Sequence, residues 1–431
     1  MVTLVCRDRP EVMQRTRAPW RDVAVGSSWM LAGTGFVAAT QWLIVSVVAH
    51  RGGPAALGQI SLAQAYVTCL SYVGWLALRN HYVVEDNRYP FSDYLFLRLV
   101  FPALLFGGLA LVASTGLLDG AGFWATIAAF SALKFVEGFS DLNSGVFQKA
   151  HRSHTIAIAA GLRFAATAAL FPAMLWAGGT VETALLALAL AWLAIYLSFD
   201  NRQRHALVPM PDDIISADAK AVGRRWALFA VSLPLGLSSA IMILNVYTPR
   251  FGIVHLLGAD ALGHFTAIQY FANFGGMLVA VICQAALPML ARFAGQRSAG
   301  RFLFLAGALM LFALFGCLCG WLLIEFAGRA LLATIYGPRF ADAQPLFAAA
   351  IPTIFLAFCG SIAAAAATAL RLYRTILFAY VGSALVAAGL TYVLVPRLDL
   401  FGAFLAVGLA GLFQSAVLAA GMLAGWRKRV S

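Results

Sequence analysis

Apolar residues run along this chain in blocks of about twenty or more, broken by short polar clusters. They do not alternate with the two-residue period of a half-buried strand. A helix rises about 1.5 Å per residue, so about 20 apolar residues cross the ~30 Å hydrocarbon core of a bilayer. Read this way, the blocks predict twelve transmembrane helices, at 23–49, 57–79, 93–117, 122–148, 154–177, 181–200, 226–248, 260–286, 302–326, 345–369, 373–395 and 402–425. The longest connection expected on one side is 201–225, and on the other 327–344. The organisation implied is a tail (1–22), a first lobe of six spans (23–200), a linker (201–225), a second lobe of six spans (226–425) and a short second tail (426–431).

Composition agrees with that pattern. Of 431 residues, 62% are hydrophobic and 11% charged, with a mean hydropathy of +0.84; a soluble domain carries about 25% charge. This excludes a soluble enzyme, a secreted disulfide scaffold and a disordered chain, and the unbroken apolar runs exclude a transmembrane barrel. The first apolar run starts after Arg21 and is too long for a signal core, so it reads as a retained span.

The positive charge has a side. Of 30 Lys and Arg residues, 23 fall in the two tails and in the connections on the same side as the tails. Arg51, Arg250, Arg329, Arg339 and Arg397 lie on the other side, and Lys134 and Arg163 lie within spans. By the positive-inside rule both termini are cytoplasmic. The net charge of +12 is thereby accounted for by loops facing anionic lipid, and no nucleic-acid partner is implied. Cys69, Cys283, Cys317, Cys319 and Cys359 sit in apolar runs and Cys6 in the basic tail. With no Cys-x-x-Cys and no histidine at metal-ligand spacing, we expect packing residues, no metal and no cofactor.

The chain also repeats itself. Gly53-Pro-Ala-Ala-Leu-Gly-Gln-Ile-Ser-Leu-Ala-Gln64 matches Gly258-Ala-Asp-Ala-Leu-Gly-His-Phe-Thr-Ala-Ile-Gln269 at an offset of 205, and His50 recurs as His255. A weaker echo joins Lys149-Ala-His-Arg-Ser153 to Arg371-Leu-Tyr-Arg-Thr375. The stronger match opens spans two and eight, so the repeat is six helices long and both copies enter the membrane in the same direction. Two parallel lobes with a substrate path between them is a transporter architecture.

Charge inside a span is costly and by default marks a pathway or a buried pair. Lys134, Glu137 and Asp141 share one stripe of span four, with Lys134 near mid-depth. Span five returns antiparallel and brings Arg163 level with Asp141. The expectation is an Asp141–Arg163 pair and a Lys134–Glu137 pair, which serve either as a structural cluster between two helices or as an anion-binding or ion-coupling site. Arg79 and Arg98 stand at the ends of spans two and three, as a basic mouth or as ordinary anchors. Asn245, Gln269 and Asn273 are candidate polar lining from the second lobe. Several donors gathered in one place suit a phosphate dianion.

Missing motifs narrow the reading. There is no Gly-x-x-x-x-Gly-Lys-[Ser/Thr], Gly-x-Ser-x-Gly or His-Glu-x-x-His, so neither ATP hydrolysis nor hydrolase chemistry is expected. Connections this short leave no room for the large outer domain of a sugar polymerase or ligase. The basic Gly-x-x-x-Asp-Arg loop of major-facilitator transporters is absent after span two, where Asn80–Asp93 stands instead.

Leu257–Tyr270 (Leu-Gly-x-x-Ala-Leu-Gly-x-Phe-Thr-Ala-x-Gln-Tyr), Gln284-Ala-Ala-Leu-Pro-Met-Leu-Ala-Arg292 and Ile335-Tyr-Gly-Pro-Arg-Phe340 resemble the polysaccharide exporters of the multidrug/oligosaccharidyl-lipid/polysaccharide superfamily. These are Wzx-type O-antigen and exopolysaccharide flippases, which share the fold of MATE drug exporters. The resemblance covers essentially the whole chain; lipid II flippases resemble it less, having two additional helices. It implies a MATE-like fold and transfer of an undecaprenyl-diphosphate-linked oligosaccharide from the cytoplasmic to the periplasmic leaflet of the bacterial inner membrane. It also implies glycosyltransferases and a polysaccharide polymerase as neighbours, and a cationic cavity for the pyrophosphate. By depth, Lys134, Arg163, Arg98 and Arg79 match that cavity, with Glu137 and Asp141 for ion coupling. A MATE-like exporter of organic cations is the alternative, and it would want acidic groups to dominate the cavity.

Overall fold

The computed structural model describes residues 19–84, 88–116, 123–208 and 219–430; most of the basic N-terminal tail, with Cys6, and part of the linker lie outside the described residues. Helices account for nearly all of what is described, with no strand among the described residues. Among the described residues, eight stretches are long and apolar enough to cross a membrane. Three of them, α1 (Pro19–Trp75), α8 (Ala219–Gly295) and α11 (Tyr373–Val430), are interrupted by one non-helical residue each, at Gly53, Gly258 and Asp399. Each arm on either side of those kinks exceeds the length of about 20 residues that one crossing needs. Counting the bent helices twice and adding α4 (Phe123–Lys149), whose four charged residues set it apart from the apolar stretches, accommodates twelve crossings.

The short α2 (Leu78–Val84) leads to α3 (Phe91–Ser114), and α5 (Ser153–Trp176) follows α4. Next come α6 (Val181–Ile195), a π turn (Tyr196–Asp200) and α7 (Asn201–His205). In the second half α9 (Ala299–Tyr336) and a 3-10 turn (Pro338–Ala343) precede α10 (Gln344–Ala369). The outer surface is apolar: Phe304, Phe326 and Trp176 are 80%, 85% and 73% exposed. In water that exposure would be a liability; against lipid it is the expected surface.

Four connections differ from expectation. The stretch 327–344, expected as a loop, is helical to Tyr336 and then a 3-10 turn, because its residues are apolar enough to carry α9 past the membrane core. The breaks expected near 50–56, 249–259 and 396–401 shrink to one residue each, since a single positive-φ residue is enough to redirect a helix.

The repeat is written into the geometry. Gly53 has φ 72° and Gly258 φ 85°, so the two kinks are the same left-handed glycine bend at equivalent positions. Five residues on, Gly58 lies against the backbone carbonyl of Ala259, and Gly263 against that of Pro54. A Cβ at either position would stand 1.8 or 1.9 Å from the opposing oxygen, so only glycine permits the crossing. The equivalent residues Ser61 and Thr266 then touch across the pseudo-symmetry axis, Thr266 Oγ1 donating to Ser61 Oγ at 2.7 Å. The weaker echo needs adjustment. The tight turns at His151 (φ 56°) and Arg371 (φ 59°) share a geometry, but structural equivalence shifts the alignment of those two segments by two residues.

Around this crossing the lobes are fastened on the Lys/Arg-poor face. Arg250 Nη1 donates to Ser61 Oγ at 2.9 Å, Trp42 Nε1 to the Tyr336 hydroxyl at 2.9 Å, and Ser46 Oγ to the Ile335 carbonyl. Tyr66 packs on Phe251 with ring centroids 5.0 Å apart. On the Lys/Arg-rich face, the buried Asp93 accepts from Arg224 at 3.0 Å and from Arg225 at 3.2 Å, holding the first arm of α8 against α3.

Candidate functional site

Helix α4 carries the charged stripe into the interior of the first lobe. Its α3- and α6-facing sides are packed, and the remaining side looks onto a cavity of about 50 Å³. The polar wall consists of Thr40 and Gln41 from the first arm of α1, Gln64 from the second, Lys134 and Glu137 from α4, and Arg163 from α5; Trp192 of α6 and several apolar residues close it.

The i,i+3 spacing on α4 makes the expected pair: Lys134 Nζ donates to Glu137 Oε2 at 2.7 Å, with Lys134 only 6% exposed. A lysine buried to that degree requires such a partner, since an unpaired charge out of water costs several kcal/mol. Arg163 does not pair with Asp141. Its Nε donates to the Ala159 carbonyl at 3.2 Å and its guanidinium lies over Trp192, 5.9 Å from the ring centroid. Among the described residues no carboxylate reaches ion-pair distance of Arg163, so it stands as a cation on the cavity wall.

Asp141 turns instead to α1 and α3, accepting from Arg79 at 3.2 Å and from Arg98 at 3.0 Å. The expectation failed because equal depth does not mean lateral contact. Helix α5 packs mainly on α1 and α6, whereas α3 lies along α4. Arg98 is 1% exposed, stacks on Trp75 at 5.2 Å and retains two unpartnered nitrogens, Nε and Nη1. Gly138 makes room for this arrangement, since a Cβ there would stand 2.8 Å from Trp75 Nε1. Arg79 also donates to Gln148 at 3.2 Å. Thus Lys134 and Arg163 share the cavity, while Arg79 and Arg98 form a separate, carboxylate-bridged group nearer the Lys/Arg-rich face.

The second-lobe candidates fall elsewhere. Asn245 donates to the Tyr380 carbonyl at 3.3 Å inside its own lobe, and Gln269 donates to Asn273 one helical turn on, at 3.1 Å. None of the three lines the cavity, which belongs to the first lobe alone. It still reaches the lobe interface through Gln64, whose Oε1 accepts from the Tyr270 hydroxyl of the second lobe at 3.1 Å. Gln64 was visible in the sequence only as part of the repeat. Thr40, Gln41 and Trp192 left no signal, being isolated residues in apolar runs.

The arrangement offers an anion the guanidinium of Arg163, with the Glu137-paired Lys134 beside it. At about 50 Å³ the cavity holds a water or two. Anything the size of a sugar enters only when helices part.

No protein-family model matches the chain. In sequence it is similar to the capsular polysaccharide biosynthesis protein CapF of Staphylococcus aureus, 24% identical over 319 residues that cover 73% of this chain and 78% of that protein. In fold it is similar to an inward-facing multidrug resistance MATE family transporter of the MOP superfamily, with a TM-score of 0.67 at 14% identity, covering 91% of this chain and 94% of the other. The lipid II flippase MurJ, in an inward closed conformation, superposes equally well, with a TM-score of 0.67 at 12% identity and coverage of 94% and 89%. Taken with the paired kinks and the two-lobed packing, these likenesses make the chain a multi-pass membrane protein with a MATE-like fold.

Proposed function

We propose that the protein is a flippase that moves a polyprenyl-diphosphate-linked oligosaccharide from the cytoplasmic to the periplasmic leaflet of a bacterial inner membrane, for surface polysaccharide synthesis. The observation that carries this reading is Arg163, which has no carboxylate at ion-pair distance among the described residues and stands on the wall of a buried polar cavity, with Lys134 beside it. A pyrophosphate needs several charged donors at once, and arginine supplies a planar pair of them. Each charge-assisted hydrogen bond contributes about 1.5–3 kcal/mol.

The cycle follows from the packing. The glycine crossing shuts the Lys/Arg-poor face, so the head group enters from the Lys/Arg-rich, cytoplasmic face as the first-lobe helices part around the cavity. Arg163 and Lys134 take up the pyrophosphate, with Arg98 contributing its spare donors once the helices move. The sugars lie in the hydrated cleft, and the polyprenyl tail stays in lipid along the exposed apolar belt. Parting of the α1–α8 crossing then opens the periplasmic face. No covalent bond is made or broken. Glycosyltransferases supply the substrate and a polymerase consumes it.

The likeness to a capsular polysaccharide biosynthesis protein supports a sugar cargo over a drug. Charge balance supports it too, since four cations in this part of the first lobe (Arg79, Arg98, Lys134, Arg163) face three carboxylates (Glu137, Asp141, Asp200). A carrier of organic cations needs the opposite excess. Replacing Arg163→Ala or Lys134→Ala is expected to abolish surface polysaccharide while the protein reaches the membrane at normal levels. Wild-type polysaccharide in both variants would refute the reading. An altered drug-susceptibility profile in a deletion strain, with polysaccharide intact, would favour the cation exporter.

A further inference from the structure

Arg250, on the first arm of α8, is a buried cation outside the cavity wall. It is 2% exposed, and among the described residues no carboxylate lies at ion-pair distance from it. Its Nη1 donates across the lobes to Ser61, to Oγ at 2.9 Å and to the carbonyl at 3.4 Å. Its guanidinium lies 4.5 Å from the centroid of the Tyr247 ring, and its Nε has no partner. Neutral oxygens and a ring replace water poorly around a full charge, which ordinarily takes an anion when buried.

The pseudo-symmetry shows that packing does not require this charge. At the offset of 205 the counterpart of Arg250 is Val45, also 2% exposed and part of the apolar core. The first lobe fills the same place with a hydrocarbon side chain. Position offers a better account. Arg250 stands eight residues before the Gly258 kink and Ser61 eight residues after Gly53, so both lie about 12 Å inside the Lys/Arg-poor end of the crossing. From the cavity, Gln64 leads to the Tyr270 hydroxyl, and the charge of Arg250 acts on Tyr270. Arg250 therefore stands between the cavity of Arg163 and Lys134 and the Lys/Arg-poor face, on a contact that must part before that face opens.

We propose that Arg250 is a second anion-binding residue, which takes over the pyrophosphate as the Lys/Arg-poor face opens. In the closed form Ser61 occupies its Nη1. Once the lobes part, a phosphate group offers the guanidinium charged oxygens that Ser61 lacks, so an anion at Arg250 competes with the clasp and holds the face open. Release of the head group is thereby tied to its presence. The handover rests on the flippase reading; capture of a phosphate anion by Arg250 does not.

The test uses the full-length chain in neutral detergent, without lipid-linked sugar, carrying Leu62→Cys (2% exposed) in a cysteine-free background. The rate of labelling by a polar maleimide is followed as potassium pyrophosphate replaces potassium chloride at constant ionic strength. The expected result is a saturating rise of about fivefold or more. Arg250→Gln should abolish that rise while increasing the rate without anion, and Arg163→Ala should leave the rise in place. If Arg250→Gln does not fold, Ser61→Ala serves: it removes the competing hydroxyl, so pyrophosphate should act at about a tenfold lower concentration. A parental rate that pyrophosphate does not move, a rise unchanged in Arg250→Gln, a rise lost in Arg163→Ala, or an unchanged half-maximal concentration in Ser61→Ala would each overturn the proposal. Phosphatidylglycerol added to the micelles tests a lipid headgroup as the source of the phosphate, and a rise with that lipid but none with pyrophosphate would overturn it too. Wild-type polysaccharide in cells carrying Arg163→Ala or Lys134→Ala, with the labelling response intact, would sink the flippase reading and leave this site standing.

Discussion

Substituting Gly263→Ala puts one methyl group between two lobes. In the structure, the new Cβ would stand 1.9 Å from the Pro54 carbonyl oxygen and 2.6 Å from its carbon, both backbone atoms without a rotamer to escape into. An ordinary contact begins near 3.4 Å, so the second arm of α8 must withdraw from α1 by more than an ångström. Thr266 and Ser61, now 2.7 Å apart, leave hydrogen-bonding distance with that movement. Overpacking of this kind costs about 1–3 kcal/mol. Placed on a contact made only when this face is closed, it shifts the population toward the open state by about fivefold to a hundredfold or more. The assay is labelling of a Leu62→Cys reporter, 2% exposed in the closed form, by a membrane-impermeant maleimide added to the periplasmic face of a cysteine-free background. Gly58→Ala, whose Cβ would meet the Ala259 carbonyl at 1.8 Å, should give the same increase because the crossing is pseudo-symmetric. Labelling that stays at the parental rate in both variants would refute the claim that this crossing is the closure.

Other outcomes follow from individual contacts. Glu137→Gln removes the carboxylate from the buried Lys134 and should cost about 3–5 kcal/mol; adding Lys134→Met should recover most of it, as read by unfolding in detergent. Asp399 holds φ 48°, a region where glycine is unstrained. Asp399→Gly should therefore leave the fold intact and stabilise it by up to about 1 kcal/mol in the same measurement. Gly138→Val drives a side chain into Trp75 and displaces Arg98, so it should lower the yield of folded protein even though it adds apolar surface.

Much of this architecture was legible because lipid imposes a simple rule. Every crossing must be apolar for about twenty residues and satisfy its own backbone, and that rule shows through in span after span. The repeat was legible too, because the kink and the close crossing both demand glycine and both copies retained it at an offset of 205. The third break was expected between spans eleven and twelve, but the residue that makes it was not, since Asp399 has no glycine to announce it. Within the site, Lys134–Glu137 could be read because neighbours on one helix are fixed by its pitch. The partners of Asp141 could not, because chain order does not say which helix lies beside which.

The bare crossing of Gly58 and Gly263 has a mechanical consequence. No side chain from either residue is inserted there, so the two backbones meet directly, flanked by buried apolar residues such as Leu57 and Leu262. Resistance to opening is shared between that apolar packing and a few polar clasps, Arg250 to Ser61 and Trp42 to Tyr336 among them. Water can take over each of those bonds as it breaks. A seal built this way can be tight at rest, and its polar part can still be undone one wetted bond at a time.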